Sequence, residues 1–327
     1  MEHPFAKYIQ MLGKGQHGSR DLTQQEAADA LGMILAGQVE PIQLGAFLML
    51  MRVKEETGAE VAGFVQAARA SLTLPDKLPR VDLDWPTYAG KRRQLPWYLL
   101  SALLLSSHDM PVLMHGIGGG SEGRVYIPQA LAALGIKPCG SLSEAVNNIA
   151  ASKFAYVPLN VLSSELERIL DLKSLLGLRS PVHTIIRMLN PFHASASIMG
   201  IFHPGYDDTH QQAAALLGEQ NLAVFKGEGG EAERNPDATC SVKMLRAGQT
   251  MAEEWPALFA SKHLKDEAMD VSRLLKLWRG EIEEEYGQAA VTGTAAIALR
   301  ALGRADSTEA AQQLANELWL GRNRSYL

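Results

Sequence analysis

Residues 111–135 read Pro-Val-Leu-Met-His-Gly-Ile-Gly-Gly-Gly-Ser-Glu-Gly-Arg-Val-Tyr-Ile-Pro-Gln-Ala-Leu-Ala-Ala-Leu-Gly. The apolar run 112–114 is too short for a helix and suits a buried parallel strand. A glycine-rich loop follows, and apolar residues then recur at helical spacing over 127–134. This strand, loop and helix unit is typical of α/β domains that bind nucleotides or phosphates, because glycines allow a ligand close to the backbone and free N–H groups attract anions. A plain tight turn is an equally good interpretation of the glycines.

Short apolar runs alternate with helical patterns from residue 81 onward. The predicted strands are 112–114, 154–157, 197–201, 222–225 and 239–244. Helical patterns lie between them and continue to residue 320. Alternation of this kind predicts a mainly parallel sheet that is flanked by helices on both faces. We assign this α/β domain to residues 80–327.

The chain before residue 74 has only helical patterns. Thr23 and Glu26 have the spacing of a capping box, and Pro41 suits the first turn of a further helix. The pattern predicts a small all-helical domain over residues 1–74. Residues 162–190 are also helical without an intervening strand, and we expect part of them to pack on this domain.

Composition limits the possible functions. The chain has 327 residues, a formal net charge of -5 and two cysteines, Cys139 and Cys240, which form no motif. No apolar run approaches the roughly 18 to 20 residues of a membrane-spanning helix, and the first residues lack a secretory pattern. We therefore expect a cytoplasmic protein with buried cysteines and no metal site. A dedicated nucleic-acid binder is usually basic, so such a role requires a local patch.

Residues 22–72 closely resemble the helical domain of anthranilate phosphoribosyltransferases, which also occurs in pyrimidine-nucleoside phosphorylases. The segment begins Leu-Thr-Gln-Gln-Glu-Ala and includes Arg-Val-Lys-Glu-Glu-Thr at 52–57. The resemblance continues through Met-His-Gly at 114–116, Leu-Gly-Leu-Arg-Ser at 176–180 and Gly-Ile-Phe-His-Pro at 200–204. It implies an active site in the cleft between the two domains and a homodimer formed through the helical domain.

The motifs that bind phosphoribosyl pyrophosphate in that family are replaced. Tyr-Ala-Gly-Lys-Arg-Arg-Gln at 88–94 stands where the family has Gly-Thr-Gly-Gly-Asp, so only Gly90 matches. Leu-Pro-Trp-Tyr at 95–98 replaces Asn-x-Ser-Thr, and Met-His-Gly-Ile-Gly at 114–118 replaces Lys-His-Gly-Asn-Arg. The magnesium-binding Asp-Glu pair falls near Glu228, Glu231 and Glu233, none of which are adjacent. Phosphoribosyl transfer depends on positioning and neutralising the pyrophosphate, so we do not expect it here.

Cations replace the lost motifs. Lys91, Arg92 and Arg93 are adjacent in the loop that the resemblance places over the cleft, close in sequence to aromatic residues that stack on bases in other proteins. The aromatic residues are Trp85, Tyr88, Trp97 and Tyr98. Further cations that extend this surface are Lys14, Arg20, Arg179 and Arg187. The chain resembles the branch of the family that lacks the transferase residues, which implies sequence-tolerant binding of single- or double-stranded nucleic acid. We expect DNA as the partner, with no catalysis and no cofactor.

The alternative interpretation is a glycosyl- or phosphoribosyltransferase with a different substrate and magnesium as cofactor. Arg179 matches the family's arginine that contacts the anthranilate carboxylate. The residues that would hold an anionic substrate are Gly90, His115, Gly116, Gly118, Gly119 and Arg179. Simpler interpretations remain for each group: the three cations form a solvated turn, His115 is a structural histidine, and Arg179 pairs with Asp171 or Glu165.

Overall fold

The computed structural model describes residues 2–15, 17–120 and 122–327. The helices are α1 (Ala6–Gly13), α2 (Gln24–Leu35), α3 (Pro41–Lys54), α4 (Gly58–Ala70), α5 (Tyr98–Ser107), α6 (Ile127–Ala133), α7 (Leu142–Ser152), α8 (Leu159–Leu162), α9 (Ser164–Asp171), α10 (Lys173–Leu176), α11 (Val182–Ile185), α12 (Tyr206–Leu216), α13 (Ser272–Arg279), α14 (Glu285–Ala301) and α15 (Thr308–Leu320). The strands are β1 (Leu83–Thr87), β2 (Val112–Gly116), β3 (Phe154–Pro158), β4 (Ala196–Ile201), β5 (Leu222–Lys226), β6 (Cys240–Arg246) and β7 (Gln249–Trp255).

The strands form one sheet in the order β3-β2-β1-β4-β5-β6-β7. The first five are parallel, and β6 and β7 complete the sheet as antiparallel strands. The predicted small helical domain with a mainly parallel, helix-flanked sheet is confirmed. The strand order reverses between β1 and β4, and the crevice at the carboxyl ends of such a pair is where open α/β sheets bind ligands. The chain therefore places its candidate site beyond Thr87 and Ile201.

The N-terminal helices begin as their sequence predicts. Thr23 accepts a hydrogen bond from the Glu26 amide at 3.2 Å, and the Glu26 carboxylate accepts the Thr23 amide at 2.9 Å. Segment 162–190 packs on this bundle, where Arg69 of α4 donates to the Met188 carbonyl at 2.7 Å.

Two apolar cores lie on opposite faces of the sheet. One packs α5, α14 and α15 on one face, and the other joins the N-terminal helices, α9 and α11 to the opposite face. Phe64 of α4 and Val224 of β5 belong to this second core. The predicted division into residues 1–74 and 80–327 stays a prediction, since bundle and sheet share that core.

The predicted burial of both cysteines is confirmed. Trp255, Trp278 and Trp319 are buried as well. Within the described ranges, no helix has both the length and the apolar character required to cross a membrane.

Candidate functional site

A cleft opens where the carboxyl ends of β1, β2 and β4 face α3 and the helical segment 164–187. It has two lobes that share Arg179 and His183. The inner lobe has a volume of about 90 Å³ and is lined by residues that include Arg52, Arg187 and Tyr206. The outer lobe has a volume of about 470 Å³ and is lined by residues that include those of the glycine loop 118–120. The glycine loop that was singled out in the sequence and the crevice expected from the strand order thus lie at the same cleft.

The inner lobe holds three arginines from separate segments, Arg52 on the last turn of α3, Arg179 and Arg187. Among the described residues, no carboxylate lies within 4.0 Å of these guanidinium groups. Arg52 donates to the Tyr206 hydroxyl at 3.3 Å, and Arg187 donates to the His183 carbonyl. Burial lowers the pKa of both Arg179 and Arg187; repulsion by Arg124 and Arg52 adds to this effect at Arg179, and repulsion by Arg179 adds to it at Arg187. Close, unpaired arginines of this kind favour an anionic ligand.

Two histidines that line the inner lobe, His183 and His210, add no positive charge at neutral pH. Burial lowers the pKa of His183 to about 3, with Arg179 and Arg187 contributing. Burial also lowers the pKa of His210 to about 4, although its Nδ1 lies 2.6 Å from the Tyr206 carbonyl. The positive charge of the lobe therefore comes from its arginines.

The glycine loop divides into a packed part and an open part. A Cβ at Gly116 would lie 2.1 Å from the Thr87 carbonyl oxygen, so this glycine permits the pairing of β1 and β2. Gly118 and Gly119 are exposed, and a Cβ at either position would have no neighbouring atom within 4 Å. Of the predicted glycines, these two border the outer lobe, whereas Gly116 serves the sheet.

His115 does not reach the cleft. It is fully buried, with Nδ1 at 2.7 Å from the Tyr88 hydroxyl and Nε2 at 3.2 Å from Asp84 Oδ1. Its prediction as a substrate-holding residue is wrong, because both ring nitrogens face partners inside the domain. The interpretation as a structural histidine describes it correctly.

The prediction that three cations face the cleft is wrong for Lys91. Its side chain is 0% exposed, and its ammonium lies 2.5 Å from the Glu233 carboxylate, which is also 0% exposed. Backbone hydrogen bonds with Val125 at 2.8 and 2.7 Å fix the extended conformation at Lys91. Arg92 and Arg93, the next two residues, are exposed. The charge run is thus divided between the interior and the surface.

The aromatic residues near that run are not available for base stacking. Trp85, Trp97 and Tyr98 are each 0% exposed, and the Tyr88 hydroxyl is bonded to His115. This part of the sequence prediction is wrong, because these rings build the core below the loop. Tyr88 contributes to the lining of the outer lobe.

The remaining predicted cations lie in different surroundings. Lys14 is exposed, whereas Arg20 is exposed but paired with Glu26 at 2.7 Å. Arg179 pairs with neither predicted carboxylate, and Glu165 instead pairs with Arg168 at 2.5 Å. These contacts leave Lys14, Arg179 and Arg187 as the cations of this group with no carboxylate partner in the described chain.

Two arginines of the site were not singled out from the sequence. Arg52 lies within a segment that has the pattern of an ordinary amphipathic helix, and only the tertiary packing of α3 brings it to the lobe that Arg179 also lines. Arg124 donates to the carbonyls of Ala89 and Gly90 at 3.1 and 2.9 Å, which joins the glycine loop to the loop after β1. No local sequence signal distinguishes either residue from a surface arginine.

The glutamates at the predicted magnesium position face inward. Glu231 accepts the amides of Ala89 and Gly90 at 2.7 and 2.5 Å. Glu233 accepts the Tyr98 amide at 2.9 Å in addition to Lys91. Magnesium requires free oxygen ligands in octahedral geometry, and these carboxylates do not offer them. Across the described ranges, no group of three or more His, Cys, Asp or Glu residues is placed to hold a metal ion.

Burial explains the unusual ionisation of these two acids. It raises the pKa of Glu231, against the opposing effects of Arg187 and the two amides. It raises the pKa of Glu233 to about 7, against the opposing effect of Lys91. The donors to both acids favour the ionised form, in opposition to burial.

Known proteins share this arrangement of domains. Residues 6–72 match the helical bundle domain of the glycosyl transferase family. An uncharacterised protein of Aquifex aeolicus is 29% identical over 318 residues, which cover 94% of this chain and 96% of that protein. An anthranilate phosphoribosyltransferase of Methylocella silvestris is 28% identical over 243 residues, covering 74% of this chain and 69% of that enzyme. The crystal structure of anthranilate phosphoribosyltransferase from Thermus thermophilus superimposes with a TM-score of 0.82 at 21% identity and covers 99% of both chains. The chain is therefore related to the anthranilate phosphoribosyltransferases and shares their fold, with the glycosyl transferase helical bundle as its N-terminal domain.

Proposed function

We propose that the protein binds nucleic acid, with DNA as the expected partner, through phosphate contacts and without catalysis. The observation that carries this proposal is the group of three unpaired arginines, Arg52, Arg179 and Arg187, in an open cleft. The donors that would hold a pyrophosphate in a transferase, on the loop after β1, are bonded to internal carboxylates instead. A cleft with free arginines and no free phosphate loop favours binding of a phosphate backbone over transfer chemistry.

Exposed cations on chain segments that contribute to the outer lobe add to this positive charge. Arg92 and Arg93 are exposed and continue the loop after β1, in which Ala89 lines the outer lobe. Lys173 lines the same lobe and is exposed. Since the whole chain has a net charge of -5, this local patch supplies the attraction. Contacts with phosphates alone predict weak dependence on base sequence.

We further propose that the protein is a homodimer formed through its helical domain. Ile42, Ala46, Met49 and Val53 follow one another at helical spacing along α3. Met49 packs in part against the second apolar core, whereas Ile42 and Val53 are 82% and 83% exposed, so the two ends of the stripe present apolar surface to solvent. A second copy of the same stripe would remove this surface from water, as expected for a symmetric dimer.

Fluorescence anisotropy with a labelled single-stranded oligonucleotide tests the binding proposal. Each phosphate contact with single-stranded DNA adds about 0.7 to the slope of log affinity against log salt. The variant Arg92→Ala/Arg93→Ala should therefore bind more weakly, with the slope reduced by about 1.4. The matched control is Lys137→Ala/Lys276→Ala, which removes two exposed lysines that line neither lobe. Absence of binding at low salt, or equal affinities for both double variants, would refute the proposed site.

A second candidate function is a transferase that uses a different acceptor. Arg179 favours it, because this cation lies in the small inner lobe that would suit the carboxylate of a compact acid. Magnesium-dependent binding of phosphoribosyl pyrophosphate in calorimetry would support this candidate. No heat at millimolar ligand, together with salt-dependent oligonucleotide binding, would decide in favour of the nucleic-acid binder.

A further inference from the structure

The loop after β1 and the start of α5 carry four strong donors that bond to two neighbouring acids in the sequence, Glu231 and Glu233. They are the amides of Ala89 and Gly90, the Lys91 ammonium and the amide of Tyr98, the first residue of α5. Amides of a glycine loop and of a helix start, joined by an ammonium group, are the donors with which proteins bind phosphate groups. In this chain, all four are occupied by the carboxylates of Glu231 and Glu233.

The segment that carries these carboxylates is held tightly against the sheet. A Cβ at Gly200 would lie 2.1 Å from the carbonyl carbon of Glu231, and a Cβ at Gly227 would lie 1.6 Å from its carbonyl oxygen. Only glycine at these two positions allows the backbone of Glu231 to approach so closely. Glu228 and Glu233 close the segment by a backbone hydrogen bond of 2.8 Å. The close packing of Gly200 and Gly227 against its backbone therefore fixes the position of Glu231.

The position of Glu231 satisfies the amides as a ligand anion would. Its side chain has 2% exposure, and one oxygen receives both N–H groups. A hydrogen bond between an amide and a charged acceptor is stronger than one between neutral groups, so a competing phosphate must displace a bound anion before it can enter. The amides of this loop are thus occupied by a side chain of the protein itself.

We call the two amides of Ala89 and Gly90 the phosphate cradle. We propose that Glu231 is a built-in anion that fills this cradle and excludes small phosphates from it. Glu231 is then a specificity-determining residue: anions reach the arginines of the cleft and find no free amides beyond them. The inference concerns small phosphates and goes beyond nucleic-acid binding, because it holds whether or not an oligonucleotide occupies the cleft.

Two substitutions of Glu231 distinguish the effect of removing the side chain from the effect of removing only its charge. Glu231→Ala opens the cradle and frees both amides, whereas Glu231→Gln keeps an oxygen acceptor of the same size in place. Inorganic pyrophosphate is the probe, and isothermal calorimetry measures its affinity. The arginines can bind pyrophosphate themselves, so each substitution is made in the wild-type chain and in an Arg179→Ala background. Glu231→Ala should bind pyrophosphate at least tenfold more tightly than Glu231→Gln in both backgrounds.

Amide NMR of the wild-type protein provides a test that does not depend on a folded variant. The signals of Ala89 and Gly90 should stay in place when pyrophosphate is added. Movement of these two signals in the wild type, or equal affinities of folded Glu231→Ala and Glu231→Gln, would overturn the proposal. Oligonucleotide binding is recorded for Glu231→Gln in parallel. Its loss or retention bears on the proposed function alone, because the pyrophosphate result is obtained without DNA.

Discussion

Replacing Lys91 by methionine tests whether this lysine has a structural role, in contrast to Arg92 and Arg93, which we propose bind nucleic acid. Methionine retains the length of the side chain and removes its charge. The carboxylate of Glu233 then stays buried, with the Tyr98 amide as its remaining donor among the described residues. We expect the variant to lose stability while its affinity for an oligonucleotide stays within about twofold, because nothing on the surface has changed.

The size of the loss follows from the burial of both partners. Removing one partner of a buried ion pair costs about 3 to 5 kcal/mol, since it leaves an uncompensated charge. Domains have a free energy of unfolding of about 5 to 15 kcal/mol, so the loss is a large part of the total. The double variant Lys91→Met/Glu233→Gln removes both charges and should recover about 2 to 3 kcal/mol of that loss.

The ionisation of Glu233 determines how the stability cost of Lys91→Met changes with pH. Burial raises the folded-state pKa of Glu233 from its ordinary 4.5 to about 7, so its contribution to stability falls as pH rises through that window. Without Lys91, the Tyr98 amide still opposes the effect of burial but no cation does, so the fall continues to higher pH. The cost of Lys91→Met should therefore be greater at pH 9 than at pH 6.

Urea unfolding at both pH values measures the stability, and anisotropy measures oligonucleotide binding. Arg92→Ala is the control, because it removes an exposed charge and should weaken binding with little change in the free energy of unfolding. A cost below about 1 kcal/mol for Lys91→Met, or a loss of affinity equal to that of Arg92→Ala, would refute the reasoning and place Lys91 at the surface.

Three further predictions concern packing, protonation and assembly. Gly63→Ala should destabilise the helical bundle by several kcal/mol, because its Cβ would lie 2.0 Å from the Gln24 carbonyl oxygen, whereas Gly45→Ala meets no atom within 4 Å and should be neutral or stabilising in thermal unfolding. Because burial lowers the pKa of His210 from 6.5 to about 4, stability should fall by up to about 3 kcal/mol as pH drops through that window, and His210→Asn should flatten this part of a urea-unfolding pH profile. Val53→Lys should shift the proposed dimer to monomer in light scattering, and an unchanged mass would place the interface elsewhere.

Most of the fold could be predicted, because its strands are apolar and its helices carry their own start signals. All five predicted strands are present, and the ends of each lie close to the predicted ones. β1 was missed because Asp84 and Pro86 make it resemble a turn, although Asp84 is buried beside His115. β7 was missed because its residues are mostly polar and exposed at the edge of the sheet. Both strands depend on neighbours that are distant in sequence.

The site was harder to predict than the fold, because charge pairing is a long-range property. Lys91 and Glu233 are 142 residues apart, and no local pattern indicates that one will neutralise the other. A sequence of three adjacent cations suggests one common role. The extended backbone at Lys91, fixed by Val125, instead directs this side chain inward and leaves Arg92 at the surface. Arg179 was predicted from its motif to line the cleft and does so, whereas Arg52 required the packing of α3.

The distribution of charge also bears on the kind of anion that this cleft suits. The donors that follow the carboxyl end of β1 are bonded to Glu231 and Glu233, so they are not available to form hydrogen bonds with a ligand. Arginines without carboxylate partners in the described chain remain available, since Arg52 and Arg179 line the inner lobe and Arg92 is exposed. A small phosphate can engage only one part of such a surface at a time. A chain of phosphates can contact several cations along it and release a counterion at each contact, which is the physical basis for favouring a polyanion over a single phosphate.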